Sequence, residues 1–140
     1  MKTSGKGFLF GAALILCTAL FYSFGYISHD TQDNPWVVPA KYKKMENPLK
    51  GDEEAGTIGK SLYSKHCKSC HGTEGKGDGP KAKELDTPSG DFSSAAFQAQ
   101  SDGELFYKTT EGRDDMPAFD KKIAEEDDRW LVIEYLRSLK

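Results

Sequence analysis

Cysteine, histidine and clustered positive charge are all scarce in this chain of 140 residues. There are three cysteines and three histidines, and no histidine follows His71. Lys and Arg number 19 against 22 Asp and Glu and are interleaved with them, giving a net charge of −3. That balance excludes a nucleic-acid-binding stripe and is too small to name a partner. No stretch alternates apolar and polar residues for long enough to make a useful strand, so the soluble part is expected to be all-helical with long loops. Hydrophobic residues make up 37% and crowd into residues 7–28. The remainder has a thin core, and a bound prosthetic group would supply apolar filling that a small domain lacks.

The first apolar run is the longest feature. From Phe8 to Ile27 about 20 residues carry no formal charge, enough to span a bilayer. The run exceeds the usual centre of a cleavable signal, and the small-residue site Ser23-Phe24-Gly25 is weak, so an uncleaved anchor is expected over residues 1–28, with removal as a signal the alternative. Lipidation at Cys17 is disfavoured by Leu16, where a small residue would be needed. Lys2 and Lys6 are the only positive charges in the first forty residues, which puts the N-terminus in the cytoplasm and the rest on the periplasmic side of a bacterial inner membrane. Residues 29–51, punctuated by Pro35, Pro39 and Pro48, read as an extended linker, with Trp36, Val37 and Val38 a short apolar patch that packs on the domain or meets the membrane interface.

Residues 52–140 then form the domain. Glu53 and Glu54 open a predicted helix to about His66, with Ile58, Leu62, Tyr63 and His66 on one face. Glycines 72, 75, 77 and 79 with Pro80 form a loop that lacks the strand and Lys-Ser/Thr pair of a nucleotide cradle. Ser101 and Glu104 make a capping box for a helix that Gly112 suits as a terminator. A last helix runs from about Glu125 to Ser138, with Trp130, Ile133, Leu136 and either Tyr135 or Leu139 buried.

Between the first two of these helices lies Cys67-Lys68-Ser69-Cys70-His71. Two thiols three positions apart followed at once by histidine is the spacing of covalent c-type haem attachment. The thiols can form thioethers to the haem, and His71 can reach the iron from the same side. Structural zinc would need a fourth ligand, and no second cysteine pair or later histidine exists. A thioredoxin-like dithiol would need a βαβ setting, which is absent. One covalent haem c is the expected cofactor.

From Gly56 to Leu139, about three fifths of the chain, the sequence resembles the small monohaem c-type cytochromes of His/Met-ligated, membrane-anchored bacterial type. The resemblance rests on Gly59-x-x-x-Tyr63, C-K-S-C-H, H-G-x-x-G-x-G-D-G-P from His71 to Pro80, Met116-Pro117-x-Phe119, and the closing W-x-x-x-x-Y-L-R-S-L from Trp130. It implies the cytochrome c fold, a crossing of first and last helices at Gly59 beside Tyr135, and a hydrogen bond from His71 to the Pro80 carbonyl. Met116, 45 residues after His71, is the expected second axial ligand of the iron. His66 stands beside the cysteines on the wrong face, His29 and Met45 lie in the linker, and Met1 is at the membrane. The alternative for Met116 is a core filler.

Two protein ligands on the iron leave no place for substrate, so the expected function is one-electron transfer between respiratory donor and acceptor proteins, not catalysis. Lys65, Lys68, Lys76, Lys81 and Lys83 are either a modest steering field or ordinary solvated lysines. The alternatives are a fixed subunit of a larger respiratory complex, and a haem sensor or peroxidase-like enzyme in which Met116 leaves the iron.

Overall fold

The acidic run at Asp52 starts a helical segment but does not carry it unbroken to the cysteines. In the computed structural model, which describes residues 35–140, the Asp52 side chain accepts from the Glu54 amide and caps a 3-10 turn at Glu53–Gly56. Gly56 and Thr57, both poor helix formers, interrupt it, and a regular helix follows over Ile58–His66. Five further α-helical segments are described. In chain order the helices are α1 (Ala40–Lys43), α2 (Ile58–His66), α3 (Lys68–His71), α4 (Ala95–Gln98), α5 (Asp102–Glu111) and α6 (Glu126–Ser138), with a second 3-10 turn at Ala82–Glu84. Among the described residues no strand forms, only an isolated bridge between Arg113 and Met116. The all-helical expectation holds for this part of the chain.

Helices α2 and α6 form the frame. A Cβ at Gly59 would run into the Leu131 carbonyl and lie 3.2 Å from the Tyr135 Cβ, so only glycine lets the two backbones cross this closely. The expected crossing is therefore present, with Tyr135 beside it. Helix α5 begins at the expected capping box: the Glu104 amide donates to Ser101 Oγ at 3.2 Å and the Ser101 amide to Glu104 Oε2 at 2.8 Å. The acidic first turn of α6 (Glu126, Asp127, Asp128) lies at the positive end of its dipole. Trp130, Ile133 and Leu136 are buried as expected; Leu131 and Val132 join them, while Tyr135 and Leu139 are half-buried.

The core is small and aromatic. Phe106 stacks on Trp130 at 3.9 Å between ring centres, and Tyr63, Phe92, Phe119 and Ile123 close around them. Arg137 ties α6 to the start of α5, pairing with Asp102 at 2.7 Å and donating to the Gln98 and Gln100 carbonyls at 3.0 and 2.6 Å.

Residues 36–51 are not an extended linker. They belong to the same compact unit as residues 52–140. Val38 is buried, Tyr42 on α1 packs its ring 4.7 Å from that of Tyr107, and the Met45 carbonyl accepts from the Gly103 amide at 3.2 Å. Asn47, 4% exposed, donates to the Trp130 carbonyl at 3.1 Å. The prolines break helix periodicity as expected, but Tyr42 and Met45 between them meet α5 and Asn47 reaches α6, while Val37 stays exposed. The anchor or signal expected over 1–28, and His29, lie outside the described residues. Among those described, no helix is long and apolar enough to cross a membrane.

Candidate functional site

Helix α2 does not stop at the motif; it bends at Cys67 and continues as α3. The Cys70 and His71 amides both donate to the Cys67 carbonyl, at 3.1 and 3.0 Å, so Cys67, Cys70 and His71 occupy one tight turn. Both cysteines are half-buried and unpaired. Burial, reinforced by the neighbouring Cys70, pushes the Cys67 thiol up to about 12. A thiol raised in this way does not suit a reactive dithiol, which needs a lowered value. Among the described residues no group of three or more His, Cys, Asp or Glu is placed to hold a metal ion.

His71 is half-buried, and burial lowers its pKa below the ordinary imidazole value, with the Ser89 backbone acting in the opposite direction. The ring stacks on Phe92, 4.5 Å between centres and 29° from parallel, and Phe92 stacks in turn on Phe97. His71 Nδ1 is buried without a hydrogen-bond partner. The bond expected to the Pro80 carbonyl is thus not formed. Pro80 is exposed at the turn of its loop, and the imidazole packs on Phe92 instead. That loop is nonetheless bound to the motif: the Gly79 amide donates to the Cys70 carbonyl at 3.2 Å, Lys81 to the Ser69 carbonyl at 2.9 Å, and a Cβ at Gly79 would strike the Ser69 and Cys70 backbone. Tyr63 on α2 fixes the other end, its hydroxyl donating to the Gly72 carbonyl at 2.6 Å.

Met116 lies beyond α5, half-buried against the same core cluster that Cys67 contacts. Its amide donates to the Arg113 carbonyl at 2.9 Å and its carbonyl accepts from the Arg113 amide at 2.8 Å. The reversal between them puts Asp114 at φ +51°, a left-handed conformation uncommon outside glycine. Asp115 accepts from the Asp86 and Thr87 amides at 2.9 and 3.4 Å, joining this turn to the loop after the second 3-10 turn. Of the rival ligands, His66 packs edge-on against Phe119 and Met45 is engaged with α5. Met1, like His29, lies outside the described residues. All five lysines considered for steering are exposed, and Lys76 is paired with Asp91 at 3.5 Å.

Sequence reasoning missed Phe92, Asp115 and the Trp36–Arg113 contact described below. Phe92 had one available signal: Asp91 and Ser94 flank it, and Asp91 accepts from the Ser93 amide while Ser94 caps α4, a turn that buries the residue between them.

These residues fit a haem. The half-buried His71 imidazole is held in place on Phe92 and is a ligand of the kind haem iron takes. It shares one helical turn with two unpaired thiols, and a thioether residue faces the same core from a separate, closed turn.

Comparison with known proteins agrees. Residues 54–136 match the family described as cytochrome c oxidase, cbb3-type, subunit III. Among solved structures, the chain is similar to one from the Kuenenia stuttgartiensis reducing HAO-like protein complex Kustc0457/Kustc0458, at 31% identity and a TM-score of 0.60 over 76% of this chain. It spans 50% of the length of that Kuenenia chain. It is also similar to the KustC0563 c-type cytochrome, at 28% identity and a TM-score of 0.51 over 59% of this chain and 96% of that one. No curated protein sequence matches it. The chain belongs to the family of cytochrome c oxidase, cbb3-type, subunit III, and residues 54–136 are a small monohaem c-type cytochrome domain with a covalently bound haem c for electron transfer.

Proposed function

We propose that the chain carries single electrons between respiratory proteins on the periplasmic side of a bacterial inner membrane, through a haem c held by thioethers from Cys67 and Cys70 with His71 and Met116 as axial ligands. The group supplies the redox chemistry, an iron that alternates between ferric and ferrous. The side chains do the rest. Cys67 and Cys70 tether it, which a domain with so small a core requires. His71 offers a lone pair because burial keeps the imidazole neutral near neutral pH. Met116 offers a soft, neutral sulfur that favours the ferrous state and raises the potential.

The observation that carries this reading is the single turn that holds Cys67, Cys70 and His71 together, with a Met116 turn closed by two backbone hydrogen bonds packed against the same core that Cys67 meets. A ligand so pinned leaves no site for substrate, which favours a carrier over a sensor or peroxidase-like enzyme. The experiment is a spectroelectrochemical titration of the purified holoprotein. A single one-electron wave with low-spin haem in both states is expected, and a high-spin ferrous form would contradict it.

Membrane attachment through residues 1–28 is supported by the uncharged run and by Lys2 and Lys6. A second reading, a fixed subunit of a larger respiratory oxidoreductase, is favoured by the likeness to a chain of the Kuenenia stuttgartiensis reducing HAO-like protein complex. Gentle detergent extraction followed by sizing distinguishes the two: a stable large assembly supports the fixed subunit, and a monomeric carrier in micelles the shuttle.

A further inference from the structure

We propose that the segment of residues 36–47 is a positioning element for the Met116 turn, acting through Trp36 on Arg113. The inference rests on the reading of Met116 as an axial ligand. The segment is anchored along α5 at three points. Met45 meets Gly103, where any Cβ would strike the Tyr42 carbonyl and lie 2.8 Å from the Met45 Cβ, so the close approach demands glycine. Tyr42 packs on Tyr107. At the far end of α5, the half-buried Trp36 ring receives two cations: the Arg113 guanidinium 4.7 Å from its centre and Lys108 Nζ at 5.6 Å.

Arg113 is the residue that forms the bridge with Met116. Its backbone makes both hydrogen bonds of that bridge, and its side chain joins the Trp36 face to Asp114 at 3.1 Å. One residue therefore reads the position of the segment with its guanidinium and sets the position of Met116 with its backbone. The turn is also held by Asp115, which accepts from the Asp86 and Thr87 amides. Gly112 leaves α5 at φ +65° so that the chain can double back on Met116 and Pro117, and Asp114 and Asp115 are exposed. A planar guanidinium on an indole face is directional as well as attractive, which a lysine in the same place would not reproduce.

Trp36 and Arg113 are positioning residues; neither need touch the haem. The test uses the full-length holoprotein and two measurements. The first is hydrogen exchange at the Arg113 and Met116 amides. The second is the rate at which added imidazole binds the ferric protein, which must wait for Met116 to leave the iron. In Trp36→Ala both are expected to accelerate about tenfold, the factor that loss of a half-buried cation–aromatic contact supports. Exchange at Val132 and Ile133 in α6 stays unchanged, and Trp36→Phe restores most of the effect. If Trp36→Ala does not accumulate, Arg113→Lys, which keeps the charge but not the stacking plane, carries the same expectations. Bridge amides that exchange at the wild-type rate in a folded variant overturn the proposal. If instead the wild type takes up imidazole as fast as Met116→Ala, the ligand reading fails, while amide exchange still decides whether the segment controls the turn.

Discussion

Single side chains in this domain carry more than their usual share because the core is so small. Arg129 shows how. It is 8% exposed, stands over the Phe106 ring at 5.5 Å, and donates through Nη1 to the Ile123 and Ala124 carbonyls at 2.5 and 3.0 Å. Those carbonyls end the segment that leads from Met116 to α6, so the arginine pins that segment from inside. Its Nε has no partner, so part of the desolvation cost is uncompensated. Replacing it with Met keeps the apolar stem but leaves two carbonyls without a donor. Arg129→Met is expected to lose roughly 2 kcal/mol in urea unfolding, and a change below about 0.5 kcal/mol would show that water satisfies those carbonyls equally well.

Among elements, α5 is the one on which the site depends most, since its C-terminal end releases the Met116 turn and its flank receives residues 36–47. Its start is secured by the Ser101–Glu104 box. The Ser101 amide lowers the Glu104 pKa below the ordinary glutamate value, with Lys43 and Lys108 adding to the effect. A carboxylate with a depressed folded pKa adds stability above its unfolded value, and that stability is lost as pH falls through the folded value. Glu104→Gln should therefore be less stable than wild type by roughly 0.3–1 kcal/mol near neutral pH. The gap should close as pH falls through that folded value, below the ordinary glutamate range, as followed by thermal melts across pH. A gap that persists in acid would mean the carboxylate acts by shape alone. Helix α6 and the box at α5 were legible in the sequence because caps, dipole-matched acids and apolar spacing are local signals. Residues 36–51 were not. Helix α1 is a single turn, and what holds the segment lies far along the chain: Asn47 on Trp130, and Met45 on Gly103. Three prolines made it look like a linker because nothing nearby in sequence revealed its partners.

At the scale of the molecule, a frame of α2 crossing α6 at Gly59 holds one wall of the site, and the turn after α5 holds the other. The cysteine motif and the crossing glycine were readable because each is a fixed spacing of particular residue types. How His71 is supported was not: its ring lies on Phe92, a loop aromatic with no helical period, and no bond to Pro80 forms. The walls have different strength. The His71 wall is continuous with α2, which is packed on α6 at Gly59, whereas the Met116 wall hangs on a two-bond bridge and side-chain contacts to residues 36–47 and 86–87. With His71 and Met116 as the proposed ligands, Met116 is the one expected to yield first. The central claim is that it does not yield under ordinary conditions, which makes the domain a carrier and not a binder of small ligands. The most direct test is carbon monoxide added to the reduced protein, wild type beside Met116→Ala. The account predicts no change in the wild-type spectrum on mixing and immediate binding in the variant; ready binding by the wild type would contradict it.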